Sequence, residues 1–353
     1  MASLLDTLAG AITPEVASGL GKTLGLNQDQ LKQGLGIVGP LLEGALGKSA
    51  SSPQGLDGLM QTLGKVQGAQ AAGTFDVGKL IGQFAQGAGG KDMVTSMLNP
   101  AMGGRSTASD PISGLLGGLF GNGLGAVGGT LDKSLGFPAS SLIGIAAPAL
   151  MGVLAKAAKE KNLDSGGVAK LLHDESKAFM DKGGDSAALV QKALKAGDDA
   201  NALRARYSDR EWSTIRLAPM AAAGLVMAAS PSKGTAAAQE VAAALASIEG
   251  TKALSDPTSL LSVAFDAPLS EEERETFRLG VTTDKMVGAI KNATALLGSK
   301  EPMALPGYRA LIMNVATAVA EASKEGGFLG IGAKQVSDAE QAALAEVKAA
   351  VGA

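Results

Sequence analysis

The stretch "KTLGLNQDQLKQGLGIVGPLLEGALGK", Lys22 to Lys48, reads as one helix ending and another beginning. The Lys-Thr-Leu-Gly run closes the first helix with Gly25 as its C-terminal cap, because glycine enters the left-handed region without a Cβ penalty. Asn27 opens the next helix, and Gln30 three residues later completes a capping box. Pro40 has no N–H, and its ring crowds the carbonyl four residues back, so it is expected to break or kink that helix and start a new one. Leu42 and Leu46, spaced i to i+4, then give one apolar helical edge.

The residues just upstream raise a nucleotide question. "SGLGKTLGL", Ser18 to Leu26, contains the Gly-Lys-Thr end of a phosphate-binding loop. That loop needs a second glycine five residues before Gly21, where Val16 stands, and a buried strand leading into it. Thr13-Pro14-Glu15 instead reads as a cap, a proline at the first helical position and an acid in the first turn. Nucleotide binding is excluded on those grounds.

The pattern recurs. Lys22-Thr-Leu-Gly-Leu26 is echoed by Lys133-Ser-Leu-Gly-Phe137, and Pro40 to Lys48 by Pro148 to Lys156, both reading P-x-L-x-G-x-L-x-K. "GLDGLM" (Gly55 to Met60) parallels "GVAKLL" (Gly167 to Leu172). Gly136 is the second C-cap and Pro138 the second helix start. Each copy is expected to be a compact unit of about four short helices, since the two prolines divide its long apolar segment.

These residues resemble the YidB-like bacterial domain, a small helical module of unknown function. The likeness is carried by "GLNQDQLKQGLGIVGPLLEGALGKSASSPQGLDGLMQTL" and, more loosely, by Leu135 to Leu172. It implies a homeodomain-type helical arrangement, which would suggest DNA binding only with a basic helix, and no helix here is basic. The expected organisation is a first YidB-like unit over 1–66, a Gly/Ala-rich linker with short helices over 67–110, a second unit over 111–183, and an α-helical bundle over 184–353.

Composition agrees with an all-α fold. Of 353 residues, 46% are hydrophobic but only 3% aromatic, and 49 are glycine. Small side chains of this kind suit closely approaching helices and not a β-sandwich. The net charge of −3 gives no field favouring nucleic acid. The absence of cysteine excludes disulfides, thiolate nucleophiles and Cys-based metal sites. The single histidine, His173, ends an apolar helix and excludes any multi-His metal site. No cofactor and no catalytic constellation is expected. "MASLLDTLAGAITPE" lacks a basic leader segment and carries Asp6 in its apolar run, so a cytoplasmic protein is expected. In the C-terminal region Ser208/Glu211, Ser270/Glu273 and Ser337/Glu340 are three further capping boxes.

Four features stand out as contact candidates. Gly117, Gly121, Gly125 and Gly129 recur every fourth residue, which on one helix makes a bare face, either locally packed or open to a partner helix. Arg204, Tyr207, Arg210 and Trp212 in "RARYSDREWSTIR" are residue types enriched at binding hot spots, or else mark a boundary helix whose Trp enters the core. "EGGFLGIGAKQ", Glu325 to Gln335, is an apolar loop expected to tuck under the bundle. Ser134 to Ala155 carries no charge and is long enough to span a bilayer. Its two prolines, and the Asp29, Lys32 and Glu43 of the matching first copy, favour a buried core helix. Peripheral lipid contact stays open.

The expected function is that of a non-enzymatic structural protein, self-assembling into a homo-oligomer or filament through small-residue helix packing. The alternative is a small-molecule or lipid-binding helical protein with an apolar cavity.

Overall fold

A computed structural model describes residues 3–12, 14–71, 111–231, 234–278, 281–322 and 336–352, and every regular element among them is helical. The all-α fold therefore holds. The linker from residue 72 onward, the short helices expected in it, and the loop Glu325 to Gln335 lie outside the described residues. The chain divides into two compact units, Met1–Asn201 and Ala202–Ala353. Both expected YidB-like copies fall inside the first.

Unit 1 holds α1 (Leu4–Ala11), α2 (Pro14–Leu24), α3 (Gln28–Ala50), α4 (Pro53–Ala71), α5 (Pro111–Phe120), a 3-10 turn (Gly121–Gly123), α6 (Leu124–Leu135), α7 (Ser141–Glu160), α8 (Ser165–Lys182) and most of α9 (Gly184–Ala205). The local stop and start signals act as read. Gly25 ends α2 at φ +70°, with the Leu26 N–H donating to the Gly21 carbonyl at 2.8 Å, the wide bond of a Schellman cap. Asn27 and Gln30 form the reciprocal capping box of α3.

Neither proline breaks its helix. Pro40 lies inside α3 and Pro148 inside α7, each helix continuing on both sides. An interior proline costs about 3 kcal/mol. Against that, Val38, Leu41, Leu42 and Leu46 are essentially fully buried. Each such side chain contributes about 1.5–3 kcal/mol by leaving water, so an unbroken α3 wins. The two long helices α3 and α7 pack on each other at the centre of the unit; α8 and α4 cover α3, while α4 and α1 cover α7. α7 is long and apolar enough to cross a membrane, and most of it is enclosed by the unit.

Unit 2 holds α10 (Asp209–Ala229), α11 (Thr235–Leu254), α12 (Leu260–Ala264), α13 (Glu271–Arg278), α14 (Thr283–Lys300), α15 (Leu305–Ala322) and α16 (Asp338–Val351). α10, α14, α15 and α16 pack mutually, with α11 laid along α15. All three expected capping boxes form, at Ser208/Glu211, Ser270/Glu273 and Ser337/Glu340. Pro219 sits inside α10 and has no N–H for the Ile215 carbonyl. The fully buried Tyr308 of α15 supplies the donor instead, its hydroxyl reaching that oxygen at 2.6 Å.

Candidate functional site

α1, α2 and α3 line a half-open cavity of about 580 Å³. Its walls are largely apolar: Leu5, Leu8 and Ile12 from the first helix and its exit, Ala17 from α2, Leu31, Leu35 and Pro40 from α3. Asp6, Gln28 and Lys32 add polar groups. α1 is held in place at its first turn. The Ser3 N–H donates to Asp6 Oδ2 and the Asp6 N–H to Ser3 Oγ, both at 3.0 Å, and the Leu4 N–H donates to Glu175 Oε2 of α8 at 3.3 Å. The Ser3 N–H and hydroxyl hold the Asp6 carboxyl below the usual range, so it is a carboxylate at neutral pH. Lys32 is exposed.

One turn beyond Pro40, Glu43 is completely buried, and neither carboxyl oxygen has a hydrogen-bond partner. Burial, reinforced by the charge of nearby Glu175, pushes its carboxyl up to about 8, so it is neutral at pH 7. In the sequence Glu43 stands as a charge weighing against a bilayer. A sharper signal was present: the aligned position of the second copy is Met151, itself buried in α7. An acid standing where its repeat has a core methionine points to an interior carboxyl.

The glycine stripe does not form one helical face. α5 ends at Phe120, Gly121 takes φ +56°, and α6 begins only at Leu124. The break is bridged by Asn201 of α9, whose side chain accepts from the Asn122 N–H and donates to the Phe120 carbonyl, each at 2.8 Å. Gly117 therefore lies on one helix, Gly121 in the turn, and Gly125 and Gly129 on the next. The close backbone approach expected of the stripe occurs within the chain at an unexpected pair. A Cβ added at Gly123 would sit 2.4 Å from the Gly197 carbonyl oxygen of α9. Gly117 is exposed, with no heavy atom within 4 Å of a built Cβ.

The aromatic–arginine cluster is also mostly interior. Tyr207 and Trp212 are buried, their ring centroids 5.5 Å apart. The Arg204 guanidinium lies 5.0 Å from the Trp212 ring, donates to the Tyr207 carbonyl at 2.8 Å and pairs with Asp209. Burial, then the Glu301 charge, pushes the Tyr207 phenol up to about 12. These three residues staple the entry of α10 to its core, the second of the two readings the sequence left open, and only Arg210 is exposed. His173 is exposed on α8. Among the described residues no group of three or more histidines or acids is placed to hold a metal ion.

The pocket and the buried acid thus lie in a small helical domain whose walls are set by α1 to α3. Residues 6–157, from within α1 to within α7, match a family described as a bacterial protein of unknown function (DUF937). That part of unit 1 is thus similar to a bacterial domain of unassigned function. The comparisons found no match among curated proteins or solved structures.

Proposed function

We propose that unit 1 is a non-enzymatic binding module for a small apolar or lipid-like molecule, seated between α1, α2 and α3. The observation that carries this reading is the cavity itself. At about 580 Å³ with largely apolar walls and a few polar groups, it has the size and lining of small-molecule sites. The parallel order of α2–α3–α4 and α6–α7–α8 supports reading the unit as two YidB-like copies, of which the first carries the pocket. The reading goes with a cytoplasmic protein that needs no cofactor and no nucleic acid.

Native mass spectrometry of the full chain, purified without detergent, tests it. A non-covalent adduct, lost when Ala17→Phe fills the cavity, is the expected result. A bare protein that also fails to take up an added alkyl alcohol contradicts it.

Self-assembly keeps one specific support, the open bare surface at Gly117. Because Gly121 needs its left-handed backbone, a leucine there would strain the fold whatever the oligomeric state. Gly117→Leu is the cleaner probe. Light scattering showing a wild-type oligomer that this variant dissociates supports assembly; a wild-type monomer at micromolar concentration contradicts it.

A further inference from the structure

We infer that the pocket is built for an apolar molecule bearing one neutral hydrogen-bond donor, an alkyl alcohol being the simplest, and that the Gly36 carbonyl receives that donor. This rests on the pocket reading above and gives it a ligand class. Pro40 sits mid-helix in α3 and has no N–H, so the bond that would normally end on the Gly36 carbonyl cannot form. Gly36 and Pro40 both line the cavity. Gly36 is exposed, and a Cβ built on it meets no heavy atom within 4 Å. Among the described residues no donor from outside α3 reaches that oxygen.

Unit 2 shows what the chain does with the same defect when no ligand is involved. The Ile215 carbonyl, deprived by Pro219, is buried and receives the Tyr308 hydroxyl. At Gly36 no such side chain is provided, and the residue lines a cavity. A carbonyl that loses water on ligand binding without gaining another donor costs free energy. Water serves in the free protein, and a ligand hydroxyl takes its place on binding.

Charge sets the remaining limit. Among the described residues the cavity's ionisable groups are Asp6, a carboxylate held by Ser3, and Lys32. Their signs oppose, so neither an anionic nor a cationic head gains from the pair together. A neutral donor fits the carbonyl without meeting a like charge.

Calorimetric titration of the full chain with four probes tests this: 1-octanol, its isomer heptyl methyl ether (which has no donor), octanoate and octylammonium. Octanol is expected to bind about three- to tenfold more tightly than the ether, the worth of one neutral hydrogen bond. Pro40→Ala returns an N–H to Gly36 and should erase that preference, its folding checked by circular dichroism. Gly36→Ala, which keeps the carbonyl and takes only volume, should weaken both ligands and retain their ratio. Equal binding of octanol and ether, or a preference that survives in Pro40→Ala, overturns the donor assignment and leaves the pocket reading standing. Tighter binding of octanoate or octylammonium than of octanol overturns neutrality. If none of the four binds, the pocket reading falls as well.

Discussion

Glu43→Met places in α3 the residue that the second repeat carries at the same position, and it should make the protein more stable at alkaline pH. In the folded chain the Glu43 carboxyl is pushed from 4.5 up to about 8. The folded state therefore holds a proton that the unfolded state has released, and stability falls as pH rises through that interval. Below 4.5 both states are protonated and there is no loss; above 8 the loss is complete. The span of about 3.5 pH units, at about 1.4 kcal/mol each, gives about 5 kcal/mol, or about 3 kcal/mol once water reaches the ionised group. Unit 1 holds no tryptophan or tyrosine, since Trp212, Tyr207 and Tyr308 all belong to unit 2. Urea unfolding followed by far-ultraviolet circular dichroism sees both units, whereas tryptophan fluorescence isolates unit 2. The transition absent from fluorescence should move to lower urea between pH 5 and 9 in wild type and stay put in Glu43→Met. A wild-type midpoint that is flat across that range, or a variant that keeps the full dependence, refutes the argument.

Three paired comparisons separate packing from exposure. Gly123→Ala drives a methyl into the Gly197 backbone and should cost about 1–3 kcal/mol by chemical denaturation, whereas Gly117→Ala should be neutral or stabilise by about 0.5–1 kcal/mol. Tyr308→Phe leaves the Ile215 carbonyl without a donor and should cost about 1–2 kcal/mol. In a Pro219→Ala background, where the helix supplies its own N–H, a double-mutant cycle should show that cost shrinking. Trp212→Ala should cost about 3–5 kcal/mol, while Arg210→Ala should leave the fluorescence-detected transition unchanged.

Signals confined to four or five residues were legible in the sequence. The Asn27–Gln30, Ser208–Glu211 and Ser337–Glu340 boxes and the Gly25 and Gly136 caps depend on backbone geometry that neighbouring residues determine. Pro40 and Pro148 misled because their cost is local while the burial that outweighs it is tertiary. The glycine stripe misled for a related reason: regular spacing presumes a continuous helix, and Asn201, 80 residues downstream of Gly121, stabilises a break. The Gly123–Gly197 contact carries no pattern in the chain, since the two glycines approach only after α9 folds back. Trp212 and Arg204 left two readings open, a contact surface or a core-entering boundary helix, because cation–π stapling and interface recognition use the same residue types. The pocket lay beyond reach, being defined by the placement of α1 against α2 and α3. The walls themselves are ordinary leucines, and only the proline in α3 gave a sequence-level clue to the orphaned carbonyl.

Occupancy of that cavity decides the function of unit 1. Methyl-selective nuclear magnetic resonance on leucine-labelled full chain, titrated with 1-octanol, observes it directly. Shifts confined to Leu5, Leu8, Leu31 and Leu35, with the methyls of Leu297 and Leu311 in unit 2 unmoved, are the predicted result. Unchanged cavity methyls at saturating alcohol, or shifts spread evenly over both units, would contradict it.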